Sequence, residues 1–182
     1  MQILPKSEIN IMARELSVGF LNDPLYKMLL QGEKQPQQVL FTFFSEYLQN
    51  YYDCMSVLAK EDGSGYTAWF DADAKAPRFQ GRSLSFFERV CQYSILDRYY
   101  TDNFFVLDLL VVPPAFRGKG RAREIICAFV DFCRENNKRA VVEIFEKENI
   151  PLYQKCGFTL AYSESVGKGL TAYLLEYKEE IS

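Results

Sequence analysis

VVPPAFRGKGRAREII, Val111–Ile126, is the stretch that decides the fold. It opens as the end of an apolar strand and closes as an amphipathic helix. Between them lies a turn punctuated by Gly118 and Gly120 and carrying the cations Arg117, Lys119 and Arg121. Glycine lets a backbone turn with its N–H groups pointing into one concavity, and a helix starting there adds the positive end of its dipole. The run Arg117-Gly118-Lys119-Gly120-Arg121-Ala122 is therefore an anion nest. Its spacing is neither that of a G-x-x-x-x-G-K-[ST] phosphate loop nor that of a G-x-G-x-x-G dinucleotide fingerprint.

Upstream, Phe104–Val112 is an almost unbroken apolar run, as in a strand buried on both faces. Downstream, a helix from about Gly120 to Asn136 carries Ile125, Ile126, Phe129, Val130 and Cys133 on one side, and Ala140–Phe145 reads as the next strand. Strand, helix and strand at this spacing make a βαβ unit with parallel strands and a right-handed crossover. A short helix around Ile150–Lys155 and an antiparallel pair, Phe158–Ser163 with Thr171–Tyr177, complete that end.

The first half is mainly helical. After a short strand at Gln2–Leu4, Ser7 caps a helix whose apolar residues Ile9, Met12, Ala13, Leu16 and Phe20 recur at helical spacing and which ends near Asn22-Asp23-Pro24. A second piece runs through Leu25, Tyr26 and Leu29, and a longer, aromatic helix spans about Gln37–Tyr52. Met55–Lys60 and Tyr66–Phe70 pair across Glu61-Asp62-Gly63-Ser64-Gly65, a hairpin signal. A polar loop, 71–82, precedes one further helical stretch from Ser83 to about Tyr99.

Three ordered motifs carry a resemblance. Arg117, Gly120 and Ala122 match R/Q-x-x-G-x-G/A; Leu110, Val112 and Pro114 match the strand end L-x-V-x-P; and Leu152-Tyr153-Gln154-Lys155-Cys156-Gly157-Phe158 matches L-Y-x-K-x-G-F. On these the chain resembles the GNAT acetyltransferase superfamily, most closely over Phe104–Ser163. The resemblance implies one α/β domain over 1–182 with the GNAT fold, a mixed sheet of six or seven strands with helices on both faces. It places acceptor-side elements mainly in 1–100 and an acetyl-CoA core in 104–163. It also implies that backbone N–H groups of Arg117, Gly118, Lys119, Gly120, Arg121 and Ala122 hold the pyrophosphate of acetyl-CoA. Leu110, Val111 and Val112 would pair with the pantetheine amides, Asn149 would add a contact, and Tyr153 would be the general acid. The chain departs from the family at Glu146, where many members carry Asn seven residues before the tyrosine.

The residues agree with that chemistry. Attack on a thioester expels a thiolate whose conjugate acid has a pKa near 8.5, and a phenol near 10 can hand it a proton. The attacking amine must first lose a proton, and with no histidine in the chain acid–base chemistry falls to carboxylates, Tyr, Cys, Lys or water. Asp108 is the only polar residue within the apolar run 104–112, which makes it the first choice for base or amine-binding group. The alternative is a structural carboxylate satisfied by backbone donors or an arginine, or turned outward at a bulge. Phe41, Phe44, Tyr47, Tyr51, Trp69, Phe86 and Phe87 either line a pocket for a small, partly apolar amine or simply pack the core. Cys156, between apolar neighbours, reads as packing.

Bulk composition excludes other classes. The 182 residues carry 21 Lys and Arg against 24 Asp and Glu, a balance that attracts neither a nucleic acid backbone nor an anionic membrane. Five scattered cysteines form no C-x-x-C pair, which argues against a disulfide framework and a metal site. No apolar run nears the roughly 18 residues that span a bilayer, and the N-terminus has no signal-peptide pattern, so a cytoplasmic protein is expected. The expected activity is acetyl transfer from acetyl-CoA to a primary amine of a small-molecule acceptor. Its rivals are a protein α-amine or lysine acceptor and a non-catalytic acyl-CoA-binding regulator; a homodimer is left open.

Overall fold

The structure, a computed structural model, describes residues 1–177. In chain order the elements are β1 (Gln2–Ile3), α1 (Ile9–Gly19), α2 (Pro24–Leu29), α3 (Pro36–Tyr51), β2 (Met55–Ala59), β3 (Tyr66–Asp71), α4 (Leu84–Cys91), α5 (Leu96–Tyr99) and β4 (Phe104–Val111). They continue with α6 (Arg121–Glu135), β5 (Arg139–Ile144), α7 (Ile150–Gln154), β6 (Phe158–Gly167) and β7 (Leu170–Tyr177). Among the described residues the strands form one seven-stranded mixed sheet, ordered β1-β2-β3-β4-β5-β7-β6. Every pairing is antiparallel except β4 with β5, the parallel pair that α6 connects.

Amphipathic spacing decides which face each helix covers. The buried side of α1 is Ile9, Met12, Ala13 and Leu16, and that of α3 is Leu40, Phe43, Phe44, Leu48 and Tyr51; with α2 and Phe86 of α4 they pack over one face of the sheet. On the other face, Ile126, Phe129, Val130 and Cys133 of α6 and Ile150 and Tyr153 of α7 meet Trp69, Phe105, Leu107 and Val142. Each such aliphatic or aromatic side chain contributes about 1.5–3 kcal/mol by leaving water. Among the described residues, no helix is long and apolar enough to cross a membrane.

Two features of the sheet shape the site. Parallel pairing of β4 with β5 covers only Phe104↔Arg139, Phe105↔Ala140 and Val106↔Val141, and beyond it the strands part. On its other side, β4 is bulged against β3: Ala68 pairs with Leu109 and Trp69 with Leu107, so Asp108 is the extra residue. A bulge shifts side-chain parity by one. Phe105 and Leu107 face α6 and α7, whereas Leu109 and Val111 face the α1–α3 layer.

The stretch 83–99 differs from the single helix expected of it. It divides into α4 and α5 because the Glu143 carboxylate accepts hydrogen bonds from the Ser94 hydroxyl and the Ile95 N–H, both at 2.7 Å, which ties the intervening turn to β5. Strand β6 also runs past Ser163 to Gly167, staying in the hairpin with β7 through two register irregularities.

Candidate active site

Where β4 and β5 part, a cavity of about 830 Å³ opens, lined by Val106–Val112 of β4 and the segment following it, by 142–146 of β5 and its end, and by residues from all the helices before β4 and from α7. It passes through the sheet. Tyr153 reaches it from the α6–α7 side and Asp108 from the α1–α3 side.

The turn before α6 has the geometry of a nest. Gly118 and Gly120 hold φ of 73° and 78°, a region costly for residues with a Cβ. A Cβ at either would meet nothing within 4 Å, so conformation rather than crowding requires the glycines. Among the described residues, no backbone N–H from Gly118 to Arg123 makes a hydrogen bond of ordinary geometry within the protein. The cations are committed elsewhere: Arg117 Nε donates to the Val112 carbonyl at 3.1 Å, Lys119 Nζ to the Ala115 carbonyl at 3.1 Å, and Arg121 pairs with Glu124 and Asp62. The groups the turn leaves available are therefore its amides. The cavity touches Arg117 and Ala122, and the residues between them lie beyond its edge.

Asp108 has a partner that the sequence did not suggest. The Tyr47 hydroxyl donates to its Oδ2 at 3.0 Å, and among the described residues neither an arginine nor a backbone donor meets it. Burial pushes its carboxyl up to about 6; the Tyr47 hydrogen bond works the other way and nearby Glu143 adds to the rise. Tyr153 is packed edge-on against Phe158, with ring centroids 5.7 Å apart, and lines the cavity. Burial pushes its phenol well above the usual range, with a smaller contribution from Cys156. Among the described residues its hydroxyl has no hydrogen-bond partner.

Leu110, Val111 and Val112 line the slot, as does Asn149. Glu146 lines it too, so the chain's departure from the family pattern falls on the cavity wall. Its carboxyl is raised to about 7, first by sharing a hydrogen bond with Glu148, then by burial, with Asp23 contributing least. Asp23 caps α2 by accepting from the N–H groups of Leu25 and Tyr26 at 3.0 and 3.4 Å, and burial outweighs these bonds to bring it to about 6.

Of the seven aromatic candidates, Phe44, Tyr47, Tyr51 and Phe87 line the cavity. Phe41, Trp69 and Phe86 do not. Trp69 is on the opposite face of the sheet, 5.3 Å from the ring of Phe129; Phe86 is inside the helical layer, 5.0 Å from Phe43; and Phe41 packs at that layer's margin. Sequence reasoning missed Tyr26, Asp23 and Glu143. Glu143 had a readable signal, since it interrupts the apolar strand Ala140–Phe145 as Asp108 interrupts its own.

Residues 85–160 match the family model described as an acetyltransferase (GNAT) domain. No curated protein matches the chain significantly by sequence. Among solved structures, a histone acetyltransferase HPA2 and related acetyltransferase from Corynebacterium glutamicum aligns with a TM-score of 0.70 at 14% identity, over 100% of this chain and 96% of that one. The yncA protein of Salmonella typhimurium, assigned as an acetyltransferase and solved with its cofactor acetyl-CoA, aligns with a TM-score of 0.55 at 18% identity, over 100% of this chain and 95% of that one.

Proposed function

We propose that this chain, whose residues 85–160 match the GNAT acetyltransferase domain model and whose fold resembles that of solved acetyltransferases, is a GNAT enzyme that transfers the acetyl group of acetyl-CoA to a primary amine of a small molecule. The observation that carries this reading is a slot through the sheet that begins at free amides and holds one acid and one base candidate on opposite sides.

The residues fit acetyl-CoA. The amides of Gly118–Arg123, at the N-terminus of a fifteen-residue helix, suit a diphosphate, and the edge of β4 left unpaired beyond Val106 offers main-chain groups to a pantetheine arm. When bound, the coenzyme supplies a thioester whose acyl carbon forms a bond to the amine nitrogen as its bond to sulfur breaks. Asp108 takes the proton that the amine must lose. An amine near pKa 10 is almost wholly protonated in water, but the burial that raises Asp108 to about 6 also lowers an ammonium beside it, which narrows the gap. Tyr153, kept protonated by burial, gives its proton to the leaving sulfur, whose own basicity rises in the same apolar surroundings. Both proton transfers stay within the chain's own side chains.

The aromatic side chains of Phe44, Tyr47, Tyr51 and Phe87 in the cavity lining support a small, partly apolar amine as acceptor. The test is Tyr153→Phe, assayed for release of free CoA thiol with a panel of amines and for acetyl-CoA binding by calorimetry. Turnover should fall by about 100-fold or more with affinity retained. An unchanged rate removes Tyr153 from the role of acid.

A further inference from the structure

The cavity carries more negative charge than acetyl transfer uses. Asp23, Asp97, Asp108, Glu143 and Glu146 line it, and among the described lining residues Arg117, at the coenzyme end, is the one cation. Some of this charge is spoken for: Glu143 holds Ser94 and Ile95, and Asp71, also in the lining, pairs with Lys138. Asp23 and Glu146 have no such cation. Asp23 receives only two backbone amides, and Glu146 shares a hydrogen bond with another carboxyl, Glu148.

A second feature points to a ligand at this end. Tyr26 is only 8% exposed and lines the cavity, yet among the described residues its hydroxyl has no hydrogen-bond partner. Asp23 accepts a hydrogen bond from the Tyr26 N–H at 3.4 Å, and the Tyr26 side chain lines the same cavity as Asp23 and Asp108, whose charges add to the effect of burial in keeping its phenol protonated. Its oxygen is therefore available to accept a hydrogen bond from a donor on a ligand in the cavity.

We propose that the acceptor is a diamine, with the amino group to be acetylated at Asp108 and the second held as an ammonium by Asp23, Glu146 and the Tyr26 hydroxyl. This rests on the acetyl-transfer reading above. The reacting nitrogen loses its charge and ends as an amide, so a monoamine leaves Asp23 and Glu146 without a counter-ion throughout. A second ammonium does not react and stays charged from binding to release. The aromatic wall between the two ends, including Phe44 and Tyr47, accepts a methylene chain. An acceptor bearing a carboxylate finds no cation at this end and meets like charge instead.

The test compares kcat/KM for 1,4-diaminobutane and 1,6-diaminohexane with butylamine, hexylamine and 6-aminohexanoate. Each diamine should exceed the alkylamine of equal length by about 10-fold or more, and 6-aminohexanoate should be poorest. In Asp23→Asn with Glu146→Gln, and separately in Tyr26→Phe, the diamine-to-monoamine ratio should fall towards one; Asn retains the α2 cap, and a thermal melt reports folding. If alkylamines match diamines in the unaltered protein, the diamine assignment is overturned while acetyl transfer stands. If acetyl-CoA binds but no amine is acetylated, the acetyl-transfer reading fails and takes this one with it.

Discussion

At the scale of single residues, Asp108 is where the fold and the proposed chemistry conflict. A carboxyl raised from 3.8 to about 6 favours the protonated folded state, so its stabilising contribution is fully present below pH 4 and is lost as pH rises through 6. Near neutrality the protein is therefore destabilised by keeping this group ionised, by up to about 3 kcal/mol. Asp108→Asn keeps an acceptor for the Tyr47 hydroxyl and removes the charge. It should raise the melting temperature at pH 8, leave it unchanged at pH 4, and lower kcat/KM by about 100-fold or more. The unaltered protein should lose kcat/KM as pH falls below about 6, with an inflection that the variant lacks. A melting temperature that drops equally at both pH values would assign Asp108 a purely structural role.

Among the elements, the turn into α6 bears the heaviest functional demand. Gly120 is its N-cap, at φ 78°, where a β-branched side chain is strained by about 1–2 kcal/mol even though space for it is open. Gly120→Val should re-aim the free amides and weaken acetyl-CoA by about 10-fold or more in calorimetric titration, with melting only slightly lowered. Equal affinity would show that the amides do not hold the coenzyme. This element was legible in the sequence because its information is local: glycine spacing, the apolar run 104–112 and the helical period of Ile125, Ile126 and Phe129 are all neighbours along the chain. The break between α4 and α5 was not, because its cause, Glu143, lies on a strand some fifty residues further on. The face occupied by Trp69 was hidden for a related reason: in a strand buried on both sides, alternation carries no inside-outside signal. A bulge at Asp108 was among the alternatives the sequence left open, but a run of apolar residues could not show that the bulge turns the carboxylate inward to Tyr47 rather than outward.

Over the whole molecule, the site is an assembly. The α1–α2 junction supplies Asp23 and Tyr26, α3 supplies Tyr47, β4 supplies Asp108, and the region after β5 supplies Glu146 and Tyr153. Sequence motifs pointed to the proposed coenzyme half, which lies in one βαβ unit. They left the acceptor half undetermined, because its chemistry arises only when distant segments close over one face of the sheet. Acetyl transfer as proposed requires the coenzyme diphosphate to meet the amides at the start of α6, and hydrogen exchange with and without acetyl-CoA measures that contact directly. Slowed exchange centred on the amides of Gly118–Arg123, with β4 beyond Val106 protected alongside, is the predicted result. Unchanged exchange at those amides under saturating acetyl-CoA would contradict it.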